Sequence, residues 1–220
     1  MGLPVLILGS SGSGKSTSLR NFKEGDIGII NVLGKPLPFQ NKLKTVVTDE
    51  YEKVTKTLFN CKASSVVIDD AGYLITNQFM KGHSSAGIGN AIFGFYNKVG
   101  DNFWGLIEFI IRNLPPSKIV YIMMHEDKND FGDIKPKTIG KILDEKVCIE
   151  GMFTIALRCA INNGKHVFFT QKTDNDVSKS PMGMFEENEI ENDLKMVDRV
   201  IRNYYGLTGG IESVNETTRV

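Results

Sequence analysis

Residues 9–16 read Gly-Ser-Ser-Gly-Ser-Gly-Lys-Ser, which satisfies the Walker A pattern Gly-x4-Gly-Lys-Ser/Thr at every fixed position and directly follows the apolar run 3–8. A strand that hands over to such a loop confines the chain to α/β architectures in which a strand end faces a phosphate. The loop works through its backbone, because residues without Cβ let successive N–H groups turn inward around phosphate oxygens. Gly9, Ser10, Ser11, Gly12, Ser13, Gly14, Lys15, Ser16 and Thr17 are therefore the expected nucleotide cradle. Lys15 is expected to reach the β- and γ-phosphates and Ser16 to hold Mg²⁺, with a helix starting there to turn its positive end toward the triphosphate. ATP and Mg²⁺ are the expected ligands.

The pattern downstream fits that frame. Short runs rich in Ile and Val at 5–8, 27–32, 66–69 and 119–124 read as strands covered on both faces. Between them, helices are expected at 15–22, 50–60 and 103–114, the last stopped by Pro115-Pro116. This alternation predicts a mainly parallel sheet with helices on both faces. The runs 152–160 and 166–170 flank Asn162-Asn163-Gly164, a turn signal that adds a C-terminal antiparallel β-hairpin. Gly82, Gly87, Gly89, Gly94 and Gly100 make the segment 81–100 an expected mobile loop. An acidic patch from Glu186 to Asp193 leads into a helix ending near Tyr205, before Gly206. One domain over 1–205 and a flexible tail over 206–220 are expected.

At 220 residues and 41% hydrophobic the chain has material for one well-buried domain. Lys plus Arg equal Asp plus Glu at 26 each, so any nucleic-acid contact has to be local. Cys61, Cys148 and Cys159 form neither a Cys-x-x-Cys pair nor a zinc spacing, as suits a reducing compartment. The N-terminal apolar run is too short for a signal peptide or a membrane span. A cytoplasmic location without membrane contact is expected.

The second chemical element is Ser65-Val66-Val67-Ile68-Asp69-Asp70, a strand ending in two carboxylates, which reads as Walker B. Strand ends of open α/β sheets line the ligand crevice, so Asp69 is expected beside Ser16, holding Mg²⁺ through its water shell. Asp70 either orients or deprotonates the attacking water or is a turn residue. The third element is His125-Glu126 at the end of the 119–124 run. If that strand lies between the two Walker strands, His125 faces the γ-phosphate; otherwise it is a polar strand cap. Glu126 is the alternative catalytic carboxylate.

Residues 128–137 combine Lys128, Lys135 and Lys137 with Phe131, a set able to grip phosphates and stack on bases of single-stranded nucleic acid. Asp127, Asp130 and Asp133 dilute that charge, so a solvated loop is the competing reading. Lys165, Lys172 and Lys179 are scattered on and after the hairpin. Either they face solvent or one of them reaches a neighbour's nucleotide.

Together, the Walker A motif, the Asp69 strand, Met123-Met124-His125-Glu126, the stretch 135–141, and the hairpin followed by Lys179-Ser-Pro-Met-Gly-Met-Phe resemble compact phage-encoded ATPases with a RecA-like core, within these the Sak-type single-strand annealing and recombination group. The resemblance covers about residues 3–185. It implies the His125 strand between the Walker strands, ATP at subunit interfaces, and rings or filaments on single-stranded DNA, with a single-stranded DNA-binding protein as a further partner. It assigns Lys15 and Ser16 to phosphate and Mg²⁺, Asp69 to Walker B and His125 to the sensor, and puts Lys179 near the position of a trans-acting cation. RecA's catalytic glutamate has no clear match. The expected activity is slow, DNA-stimulated ATP hydrolysis. A nucleotide-dependent loader of a phage replication protein and a small P-loop kinase are the alternatives, and Arg20, Arg112, Arg158, Arg199, Arg202 and Arg219 form no obvious kinase lid.

Overall fold

The computed structural model describes residues 1–207 except 88, 130 and 174. The expected tail over 206–220, with Arg219, falls almost wholly outside the described residues, as does Asp130. Strands β1 (Leu3–Gly9), β2 (Gly28–Asn31), β3 (Thr45–Val47), β4 (Ser65–Asp69) and β5 (Ile119–Lys128) are parallel, in the order β3-β2-β4-β5-β1. The sheet continues through β7 (Ile155–Asn162), β8 (Lys165–Phe169) and β9 (Glu189–Glu191). β7 runs parallel to β1 but antiparallel to β8, so the predicted hairpin is an integral part of the sheet. Its turn is the expected one: Asn163 (φ 48°) and Gly164 (φ 76°) both adopt the left-handed conformation that a two-residue hairpin turn requires.

Strand side chains alternate between two cores. On one face Leu6, Leu8, Ile68 and Ile122 meet helices α1 (Tyr51–Asn60), α2 (Gly72–Gly82) and α3 (Asn90–Asn113). On the other, Val5, Ile7, Val67 and Met123 meet Leu19, Phe22 and helix α4 (Leu194–Tyr205). Asp193 caps α4 by accepting the N–H groups of Lys195 (2.9 Å) and Met196 (3.3 Å), and Gly206 ends the helix in a left-handed conformation. The result is the three-layer, mainly parallel α/β architecture of RecA-like P-loop proteins.

Three sequence expectations are corrected, and two further strands appear. The loop predicted over 81–100 is mostly helix, and two of its glycines serve close packing. A Cβ on Gly82 would come within 2.6 Å of the Phe95 ring, and one on Gly100 within 2.5 Å of Ile142. The helix expected at 15–22 contracts to a 3-10 turn, Ser16–Leu19. Ser16, Thr17 and Ser18 are weak helix formers, and the Ser18 hydroxyl bonds back to the Lys15 carbonyl. The strand expected to stop at Met124 continues to Lys128 and folds back as β6 (Ile134–Pro136), so 128–137 is a hairpin tip. Finally, β3 and β9 form edge strands that their short sequences do not announce.

Beneath the sheet, α4 is anchored by a polar network. Asp198 accepts hydrogen bonds from Tyr121 (2.8 Å), Ser65 and Arg202 Nε (2.8 Å), while Arg202 also donates to the Ser117 carbonyl at 3.1 Å. Asp198 and Arg202 are buried, so each depends on the other for its charge balance. Asp198→Ala is expected to lower unfolding free energy by about 3–5 kcal/mol, measured by urea denaturation.

Candidate functional site

The phosphate loop leaves the C-terminal end of β1, with Gly12 at φ 78° and Gly14 at φ 104°, conformations that side-chain-bearing residues rarely adopt. Lys15 lies buried, its ammonium donating to the carbonyls of Gly9 (2.8 Å) and Ser10 (2.9 Å). Burial lowers its pKa, opposed by nearby Cys159, Asp70, Asp69 and Glu126. The Ser13 carbonyl is held from behind by two residues of the C-terminal hairpin: the Cys159 thiol donates to it at 3.1 Å and His166 Nδ1 at 2.7 Å. Burial pushes the Cys159 thiol up to about 11, so it acts as a neutral donor. Sequence reasoning missed this clasp, because 146 and 153 residues separate its two donors from Ser13.

Ser16 and Asp69 meet as expected, the serine hydroxyl donating to the carboxylate at 2.9 and 3.1 Å. Burial and the adjacent Asp70 raise the Asp69 pKa, against the Ser16 hydrogen bond. Asp70 adopts φ 58°, unusual for a residue other than glycine, and the next N–H, of Ala71, bonds to the Met123 carbonyl at 2.8 Å. Its carboxylate is engaged on both oxygens, Oδ2 by Lys35 Nζ at 2.8 Å and Oδ1 by His125 Nε2 at 3.5 Å. Burial acts to raise its pKa, but the His125 and Lys35 contacts outweigh it and bring the carboxyl down to about 2.

Lys35 is the principal residue missed in the sequence. It sits in the connection after β2, where Asn31 sets the turn: its Oδ1 accepts from Gly34 N–H (2.7 Å) and its Nδ2 donates to the Lys35 carbonyl (2.6 Å). The available signal was Asn31-Val-Leu-Gly34-Lys35, a strand end with turn chemistry and a cation.

His125 faces the nucleotide side, since β5 lies between β1 and β4 with Gly9 opposite His125. Glu126 is held by Arg158 through two hydrogen bonds of 2.7 and 3.2 Å, and Asp176 lies 3.8 Å from the same guanidinium. Lys179 is not brought into this group. Its backbone pairs with Ala156, which stands level with Leu6, three residues before Gly9 on β1.

A cavity of about 250 Å³ is lined by Gly12, Gly14, Lys15 and Ser16 on one side and Lys35, Asp69, Asp70 and His125 on the other. Magnesium takes hard oxygen ligands and retains several waters. Ser16 Oγ and the Asp69 carboxylate, joined by a hydrogen bond in the cavity wall, are such donors and fit the ion. Two protein oxygen donors suit an ion that shares its coordination with phosphate and water. A Gly-x4-Gly-Lys-Ser loop on a central parallel strand, an acid two strands away and a polar residue on the strand between define a P-loop nucleoside triphosphatase.

The chain belongs to an AAA domain family, whose model matches residues 1–182, and is thus an AAA-type P-loop ATPase. Among curated proteins, none matches it. No helix among the described residues is long and apolar enough to cross a membrane.

The Asp70 contacts have a defined pH signature. The folded-state pKa of about 2 lies below the ordinary 3.8, so the stabilisation is complete above the ordinary value and is lost as pH falls through about 2. Asp70→Asn is expected to remove about 1 kcal/mol near neutrality, since the exposed Lys35 is screened by solvent, and the gap from wild type is expected to narrow between about pH 4 and 2. Urea denaturation across that range measures it. Separately, His166→Ala removes one of the two hydrogen bonds to the Ser13 carbonyl and is expected to weaken ATP binding about fivefold, read by equilibrium titration, with the fold retained.

Proposed function

We propose that the protein hydrolyses ATP slowly and uses the nucleotide state to control its grip on single-stranded DNA during phage recombination, as a member of the Sak-type group, acting in the cytoplasm of the host. The observation that carries this reading is the continuity of β5. The strand passes His125 beside the nucleotide cavity and runs on into the β5–β6 hairpin, at whose tip Phe131 is 85% exposed. Asn129 Oδ1 accepts the N–H groups of Phe131 (3.0 Å) and Asp133 (2.8 Å), which shapes the tip. Lys128 is exposed next to the tip, and Lys137 is exposed at the base of the hairpin, opposite His125. An exposed aromatic with a lysine close by suits base stacking and phosphate contact, and one continuous strand links it to His125.

In this reading Lys15 and the loop N–H groups bind the triphosphate, and Ser16 and Asp69 position Mg²⁺, which supplies charge neutralisation of the phosphates when bound. Asp70 orients the attacking water and His125 senses the γ-phosphate. Glu126, already paired with Arg158, takes the secondary place. The protein assembles into a ring or filament in which Lys179 of a neighbouring copy completes the charge around the phosphates, and a single-stranded DNA-binding protein is its partner on DNA.

A nucleotide-dependent loader with negligible turnover is the second reading. It is favoured by one observation: both candidate bases, Asp70 and Glu126, are held by cations. The kinase reading loses ground, because Arg20, Arg112, Arg158 and Arg202 each engage a carboxylate of their own chain and do not gather as a lid.

Steady-state ATP hydrolysis at low salt is expected to rise with single-stranded DNA. Lys15→Ala is expected to lower turnover about a hundredfold or more. Phe131→Ala is expected to remove the DNA stimulation while leaving DNA-free turnover unchanged. Turnover indifferent to DNA would refute the coupled reading, negligible turnover with tight ATP binding would favour the loader, and a monomer in the presence of ATP and DNA would refute the role of Lys179.

A further inference from the structure

Beside the nucleotide cavity lies a larger one of about 570 Å³, lined by Tyr73, Thr76, Lys137 and Thr138 among others. The two share three wall residues, Ser11, Lys35 and His125. Lys35 therefore stands at the partition between the phosphate cradle and the neighbouring space. Its ammonium is 2.8 Å from Asp70 Oδ2 and 5.8 Å from the centre of the Tyr73 ring. The geometry points to Lys35 as a γ-phosphate ligand supplied by the same chain, able to exchange its contact with Asp70 for one with the phosphate.

Three physical features support this assignment, which rests on the reading of the cavity as an ATP site. The first is anchorage. Asn31 pairs with Asp69 in the sheet register and bonds on both sides of the Gly34-Lys35 link, so the Lys35 backbone is held beside the Walker B strand. The second is reach. The side chain is 59% exposed on a flexible stem, whereas His125 is fixed within β5 and its carbonyl is bound by the Lys137 N–H at 2.8 Å. Of the two groups on Asp70, Lys35 has the longer and more exposed stem. The third is charge. A lysine–carboxylate pair with one exposed member is weak, and a phosphate carrying more negative charge competes for the same ammonium. Transfer of Lys35 to the γ-phosphate would leave one Asp70 oxygen free to accept a hydrogen bond from water.

A contact to the γ-phosphate distinguishes ATP from ADP, and a merely structural role does not. Equilibrium binding of fluorescent ATPγS and fluorescent ADP, each with Mg²⁺, should be compared for wild type, Lys35→Met and Lys35→Arg. Lys35→Met is expected to weaken ATPγS about tenfold and ADP less than about twofold, with Lys35→Arg recovering most of the difference. Circular dichroism melting checks that both variants fold. Equal weakening of the two nucleotides, or no change in either, would overturn the assignment. Wild-type protein that binds neither nucleotide would overturn the ATP-site reading itself, and the assignment with it.

Discussion

The in-register pairing of β5 between β1 and β4 is the constraint on which the rest of the molecule depends. It sets Gly9 opposite His125 on one side and Ile68 opposite Ile122 on the other, so the phosphate loop, the strand carrying His125 and the acid pair end along one line. Backbone hydrogen bonds in a parallel sheet leave no freedom to slide, because a one-residue slip would turn every core side chain to the opposite face. Here both faces are buried, and a slip would cost both cores at once. The Ala71 N–H bond to Met123 extends the same pairing past the end of β4 and helps to hold Asp70 in its left-handed turn.

Around that line the charged and polar groups are paired within the chain. Lys15 rests on loop carbonyls, Ser16 on Asp69, Lys35 and His125 on Asp70, and Arg158 on Glu126. A triphosphate brings concentrated negative charge into this set and competes for the cations, while a divalent ion competes for Ser16 and Asp69. Binding at such a site is an exchange of partners, and the residues on the longest and most exposed stems exchange first. Arg158, partly buried against Glu126, keeps the frame.

The C-terminal hairpin has a structural part in the site that its distance along the chain conceals. β7 joins the sheet beside β1, and from β7 and β8 the Cys159 and His166 donors close on the Ser13 carbonyl. Gly14 packs against the His166 ring, where a Cβ would approach Nδ1 to 2.8 Å. With only a 3-10 turn after Lys15, the loop has little helix to stiffen it, and the hairpin provides that support from behind.

Local sequence determined what depends on near neighbours. The strand before Gly9, the turn at Asn163-Gly164, the helix ending at Tyr205 and the Ser16–Asp69 pairing are legible, because strand–loop handover, left-handed turn residues, helix stops and the Walker signatures each occupy a few consecutive positions. The glycines of 81–100 were misleading, since a glycine that admits a neighbour's ring and one that loosens the chain look alike until the neighbour is known. Tertiary structure alone decided the company of Asp70, which needed Lys35 from the β2 connection and His125 from β5. It alone paired Glu126 with Arg158, and it alone set Lys179 beside Ala156 and outside the cavity of its own chain. The physical reason is that charge partners are chosen by strand order and register, and those are properties of the whole sheet.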